Sequence, residues 1–187
     1  MIDTSGQNKD RQNLADFDEI WLFGYGSLIY KVDFPFIEKS VASIKGWQRK
    51  FWQGSHDHRG TPDNPGRVVT LTPVAKYIEC IGMAYRITED EFVHLDHREK
   101  NGYLRHEVTV QFENRKSKQG LIYIADEDNM AFLGKASISE IAQQILESSG
   151  PSGENREYLL ELASSLRKLN ANDEHIFEIE KALLKLI

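Results

Sequence analysis

Trp21-Leu22-Phe23-Gly24-Tyr25-Gly26-Ser27-Leu28-Ile29 carries an apolar strand straight into two glycines separated by one residue, then into a serine and more apolar side chains. Glycine inside a strand costs conformational entropy and persists where the chain must bend or be approached closely. With no Cβ in the way, successive N–H groups can turn toward one point and hold an anion or a developing oxyanion. A tight turn at a strand end uses the same residues, so the glycines alone leave both readings open. Two better-known glycine motifs are excluded. A dinucleotide fingerprint needs a third glycine where Ile29 stands. A serine nucleophile elbow needs glycine two residues to either side of Ser27, where Tyr25 and Ile29 stand.

Polar, turn-rich segments recur further along. Leu95-Asp96-His97-Arg98-Glu99-Lys100-Asn101-Gly102-Tyr103 sets five ionisable side chains in a row at the end of a helical pattern. Gly54-Ser55-His56-Asp57-His58-Arg59-Gly60-Thr61-Pro62 precedes it, followed by Gly66-Arg67-Val68-Val69-Thr70-Leu71. Gly150-Pro151-Ser152-Gly153-Glu154-Asn155-Arg156-Glu157-Tyr158-Leu159 comes last.

In this order the segments resemble the ChaC-type gamma-glutamylcyclotransferase family. That family reads Phe-Gly-Tyr-Gly-Ser-Leu-Ile, then Arg-x-Phe-Trp-Gln-Gly-Ser and Asp-His-Arg-Gly. It continues with Pro-Gly-Arg-Val-Val-Thr-Leu, Arg-Glu-Lys-x-Gly-Tyr and Gly-Pro-Ser-Gly-x-Asn-x-Glu-Tyr-Leu. The matches here run from Phe23 to Leu159, and the resemblance extends from about Phe17 to the C-terminus. Each motif is weak to moderate alone; the ordered set is specific. The resemblance implies an enzyme that releases the gamma-glutamyl group of glutathione as 5-oxoproline, leaving cysteinylglycine. It implies Glu99 as the catalytic carboxylate and the turn Gly24, Tyr25, Gly26, Ser27 and Leu28, with Phe23 before it, as the substrate-binding loop. No metal and no cofactor are expected. Asn101 stands where many members carry glycine, His56 where a smaller residue is usual, and Tyr30 where tryptophan is usual. Asparagine tolerates left-handed backbone angles, which makes the first departure mild.

The composition suits one soluble domain, and the succession of strands and then helices in its pattern makes it α+β. The chain has 187 residues, 40 % of them hydrophobic and 28 % charged, the balance of a globular protein rather than a disordered one. A formal net charge of −6 argues against non-specific binding to nucleic acid or an anionic membrane. A single cysteine, Cys80, excludes an internal disulfide and fits a reducing, cytoplasmic setting. Neither a charged-then-apolar leader nor a bilayer-length apolar run is present. Residues 1–15 are polar and aperiodic and are expected to form a disordered tail on a single domain spanning 16–187. The sequence does not fix the oligomeric state.

Strands are expected at 19–25, 41–53, 67–72, 77–87, 103–113 and 119–125, as a mostly antiparallel sheet curled into a small barrel. Thr88-Glu89-Asp90-Glu91 and Ser137-Ile138-Ser139-Glu140 have the form of capping boxes, each opening a helix. The first helix places Glu99 just past its end. The second stops at Gly150-Pro151. Leu159, Leu162, Ala163, Leu166 and Leu169, then Ile176, Ile179, Leu183, Leu184 and Ile187, give two more helical stripes of core type.

The chemistry implied for Glu99 is intramolecular. The substrate's α-amine attacks its own γ-carbonyl, so no enzyme nucleophile is required. One carboxylate can take the ammonium proton and later hand it to the leaving nitrogen. Backbone N–H groups of the Gly24–Leu28 turn are the candidate oxyanion donors. His56, His58, His94 and His97 lack cysteine partners and match no zinc motif, so they read as structural or substrate-side groups. Arg59 and Arg67 suit either substrate carboxylates or loop bracing. Tyr158 is a further candidate for the pocket wall, and Cys80, in an apolar strand, reads as a buried hydrophobe. Other readings are a cyclotransferase for other gamma-glutamyl amines or peptides, a non-catalytic gamma-glutamyl binder, and an interaction protein using its C-terminal helices. Glu99 counts against the pure binder, since an anion beside an anionic substrate does nothing for affinity.

Overall fold

The computed structural model describes residues 3–187. Strands β1 (Ile20–Gly24), β2 (Glu38–Lys45), β5 (Glu79–Ile87), β6 (Tyr103–Phe112) and β7 (Ser117–Ala125) close a barrel in the order β1-β5-β2-β6-β7. Every neighbouring pair is antiparallel except β1 and β7, which meet in parallel at Leu22 and Leu121. β3 (Trp47–Ser55) and β4 (Gly66–Pro73) form a separate hairpin with a bulge between Lys50 and Gln53. The expected strand over 41–53 is therefore two strands. Gly46, at φ +81°, breaks it, and this left-handed angle sends the chain out of the barrel into the hairpin.

β1 is buried on both faces, which is why Ile20-Trp21-Leu22-Phe23 reads as a continuous apolar run rather than an alternation. Trp21 and Phe23 join the main core, which β3, β4 and the C-terminal helices complete. Ile20 and Leu22 join a second cluster with Phe92 and Leu95 of α2 (Glu91–Arg98). That helix begins at Asp90 without a side-chain cap, so the box expected from Thr88 does not form. The box at Ser137 and Glu140 does form, opening α3 (Ile138–Glu147). α3 ends before Gly150, and a two-residue hairpin, β8 (Ser149–Gly150) and β9 (Gly153–Glu154), leads into α4 (Asn155–Lys168). In α5 (Glu174–Leu183), the Asp173 carboxylate accepts from the Ile176 N–H at the N-terminus. No described helix is long and apolar enough to cross a membrane.

The N-terminal segment departs from the expected tail. Among its described residues, Ser5–Lys9 form a short helix, α1, with Thr4 4 % exposed and Asn8 fully buried against the start of β6. Polar residues with no hydrophobic period are anchored here by hydrogen bonds, a signal that periodicity does not carry. Met1 and Ile2 lie outside the described residues.

Candidate active site

β1 ends at Gly24, and the chain turns through Tyr25 and Gly26 into a single 3-10 turn, Ser27–Ile29. The first N–H groups of such a turn have no carbonyl within it to bond, so they stay available to a ligand. Two supports fix the loop from behind. Arg49, 2 % exposed, donates from Nε to the Tyr25 carbonyl at 2.6 Å and from Nη1 to Asp173 at 2.9 Å. Its Nη2 reaches the Ile81 carbonyl. On the other side Tyr85 Oη donates to the Leu28 carbonyl at 2.6 Å. The Tyr25 ring is buried, with Oη donating to the Tyr123 carbonyl at 2.8 Å.

Phe23, Gly24, Tyr25, Gly26, Ser27 and Leu28 all line a narrow recess of about 60 Å³. Glu99, Tyr103, Tyr158 and Ser27 also line an open cavity of about 340 Å³, so the two spaces meet at these residues. The sequence-predicted carboxylate and the sequence-predicted loop, about seventy residues apart in the chain, are thus brought together.

Glu99 caps the C-terminus of α2, its N–H bonding the Leu95 carbonyl at 2.9 Å. Its carboxylate is 18 % exposed and lies 3.2 Å from Arg98 Nε. Burial raises its pKa above the ordinary glutamate value; Arg98 opposes the rise, and Asp33 and Asp57 add to it. Such a carboxyl is a stronger base when ionised and a ready acid when protonated, the combination a proton shuttle needs. Just beyond, Gly102 adopts φ +90°, which turns the chain back into β6 and brings Tyr103 to the cavity. Asn101 is not left-handed. Its side chain donates to Asp57 and ties the turn to the Asp57-His58-Arg59 loop. Burial pushes the phenols of Tyr25, Tyr103 and Tyr158 upward, and Glu99 adds to this in each, so all three are neutral walls at physiological pH.

Arg98 and Asp33 were not singled out in the sequence. The Arg98 guanidinium spans the site, donating from Nη2 to Ser27 Oγ at 2.9 Å and pairing with Asp33 through Nη1. One cation therefore links the glycine loop, the carboxylate of Glu99 and the rim. The sequence signal is an arginine adjacent to Glu99; its direction depends on where α2 ends. Arg49 had a clearer signal, since it is in phase with Phe51 and Gln53 on a strand whose alternate residues are buried.

The structure separates Arg59 from Arg67. Arg67 is spent inside the protein, with Nε to Gln144 at 2.6 Å and Nη1 to the carbonyls of Phe51 and Gly134. Arg59 lines the cavity, held by the Glu154 carbonyl at 2.9 Å and Glu157 at 3.1 Å. Tyr30 Oη, buried and without a hydrogen-bond partner, is on the same wall. His58 contacts Ser152 at 3.1 Å and Asp57 at 3.6 Å, and His94 faces Asp33 at 3.5 Å. Among the described residues no three His, Cys, Asp or Glu side chains converge as a metal site requires. Cys80 is buried in β5, which pushes its thiol up to about 11, outside the nucleophilic range.

Comparison with known proteins gives the same picture. The family model of ChaC-like proteins matches residues 20–186. "Glutathione-specific gamma-glutamylcyclotransferase 1" of Danio rerio is 42 % identical, covering 96 % of both chains. "Gamma-glutamylcyclotransferase 2-3" of Arabidopsis thaliana is 43 % identical, covering 86 % of both. Among solved structures, the yeast gamma-glutamylcyclotransferase specific to glutathione superposes with a TM-score of 0.83 at 31 % identity, covering 89 % of this chain and 96 % of that one. With its barrel, its glycine turn and its motifs in order, the chain belongs to the ChaC-like family.

Proposed function

We propose that this protein is a glutathione-specific gamma-glutamylcyclotransferase in which Glu99 is the proton shuttle and the Gly24–Leu28 turn binds the reacting carbonyl. The observation that carries the reading is the meeting of two spaces at one withdrawn carboxylate: a narrow recess formed by the glycine turn with aromatic side chains, and an open cavity rimmed by charged and polar residues. The glutamyl end enters the recess, and the cysteinylglycine part extends through the cavity toward Arg59. The Glu99 carboxylate takes a proton from the α-ammonium. The freed amine adds to the γ-carbonyl carbon, forming a C–N bond, and the oxygen becomes an oxyanion facing the N–H groups of the turn. Glu99, now protonated, gives its proton to the amide nitrogen, and the oxyanion re-forms the carbonyl as the old C–N bond breaks. The freed carboxylate relays the ring nitrogen's second proton to the departing amine, so that neutral lactam (5-oxoproline) and cysteinylglycine leave. Holding the glutamyl chain folded is the larger part of the catalysis. The net charge of −6 and the single buried thiol support a catalyst acting on a small molecule in the cytoplasm, without nucleic acid or membrane as partner.

The test is substrate chemistry. Glutathione should yield 5-oxoproline and cysteinylglycine in equal amounts. N-acetylglutathione has lost its nucleophile, and a β-aspartyl analogue must close a four-membered ring, so neither should turn over. Release of free glutamate would make water the nucleophile and overturn the mechanism.

A further inference from the structure

The family model begins at residue 20, yet Thr4 and Asn8 bond the backbone of the turn 99–103 directly. We propose that Thr4 and Asn8 are positioning residues for Glu99, an N-terminal strap that fixes the turn 99–103. The inference rests on Glu99 being the proton shuttle.

The geometry is specific. A helix ends with carbonyls that lack intrahelical partners, and Glu99 and Lys100 are at the end of α2. The Lys100 carbonyl accepts from the Thr4 N–H at 2.9 Å and from Thr4 Oγ1 at 2.8 Å. The same hydroxyl lies 3.0 Å from the Tyr103 carbonyl and 3.4 Å from that of Glu99, so its one proton is shared across the turn. Asn8 holds the other side. Its Nδ2 donates to the Tyr103 carbonyl at 3.1 Å, and its Oδ1 accepts from the Arg105 N–H at 2.8 Å. Arg11 and Gln12 continue the contact at the Arg105 carbonyl. The strap therefore grips the backbone on both sides of a five-residue turn whose side chains at 99, 101 and 103 all face the cavity. It touches neither the glycine loop nor Arg59. Its loss should relax the placement of Glu99 and leave substrate affinity unchanged.

The test uses the full chain. Thr4→Val keeps the shape and removes the hydroxyl donor; Thr4→Ser keeps the donor; Asn8→Ala removes both side-chain bonds. For Thr4→Val, kcat should fall about ten- to a hundredfold, the range for a displacement of about 1 Å. KM should be unchanged, amide exchange at 99–103 should be faster, and Thr4→Ser should restore kcat. Asn8→Ala should act in the same direction and, combined with Thr4→Val, lower kcat further. If the double variant does not fold, the Thr4→Val and Thr4→Ser pair decides alone. A folded Thr4→Val protein with wild-type kcat, or one changed only in KM, overturns the strap. Glu99→Gln separates the two ideas: an active Glu99→Gln enzyme removes the underlying reading, whereas an inactive one beside a normal Thr4→Val removes only the strap.

Discussion

Glu99→Gln should lower turnover sharply and at the same time stabilise the protein at neutral pH. Glutamine keeps the shape of the side chain and removes both the base and the charge. General acid–base groups contribute about a hundred- to ten-thousandfold, so kcat should fall by that factor, or about 3–5 kcal/mol of transition-state stabilisation. Binding should persist, because Arg98 keeps its contacts with Ser27 and Asp33 and the glycine loop keeps its supports from Arg49 and Tyr85. The stability change follows from the sign of the pKa shift. Burial places the folded-state pKa of Glu99 above the ordinary value of 4.5, so the folded state holds the proton more tightly than the unfolded state. Stability from this group is complete below the unfolded pKa and is lost as pH rises through the folded pKa. At neutral pH the wild type bears the cost of a desolvated carboxylate, and the glutamine variant does not. For a chain of this size each kcal/mol relieved raises Tm by about 2–4 °C. Two assays decide the matter: 5-oxoproline release, and thermal melts of both proteins from pH 4 to 8. The melting curves should diverge with rising pH, the variant being the more stable at pH 8. Near wild-type turnover would refute the catalytic role, and a variant that loses stability relative to wild type as pH rises would refute the account of the buried charge.

Other expectations are briefer. The kcat/KM profile should rise with pH through a midpoint above 4.5, since Glu99 must be ionised to act as base; a midpoint at or below that value would contradict the effect of burial. A Cβ on Gly26 would stand 2.9 Å from Tyr158 Oη and 3.0 Å from Val69, so Gly26→Val should remove activity, whereas Ser27→Ala keeps the N–H and should cost less than tenfold. Equal damage from the two would give the serine hydroxyl a direct role. Arg59→Gln should raise KM for glutathione about ten- to a hundredfold, the range of a hydrogen bond to a charged group, and barely change KM for glutathione amidated at its C-terminus. The same increase for both substrates would show that Arg59 braces the loop and does not read the carboxylate.

The sequence was informative wherever a local rule has one solution. Apolar β1 followed by bare glycines, the Ser137 and Glu140 box and the leucine stripe of α4 all describe short-range geometry. It was silent where a residue's partner lies far along the chain. Thr88-Glu89-Asp90-Glu91 satisfies the pattern of a cap, yet the helix begins at Asp90 without one, because packing of Phe92 and Leu95 sets its position. The 41–53 run reads as one strand by its β-branched and aromatic residues, and the left-handed angle at Gly46 divides it in two. The motifs that hold Glu99 and the Gly24–Leu28 loop were legible from their order, and the structure brings the two to one recess. Arg98 was not, because a guanidinium that joins Ser27, Asp33 and Glu99 exists only once α2 and the loop are side by side.

The parallel contact between β1 and β7 also governs when the site can appear during folding. Leu22 pairs with Leu121, far along the chain, and β1's other neighbour, β5, begins only at Glu79. Closing loops of that length costs entropy before any packing repays it, and topologies rich in distant pairings fold slowly. The glycine turn is among the first segments to leave the ribosome, yet its walls, Glu99 and Tyr158, are made much later. A chain ending before α4 would hold the motif without Tyr158, so the complete pocket requires most of the polypeptide.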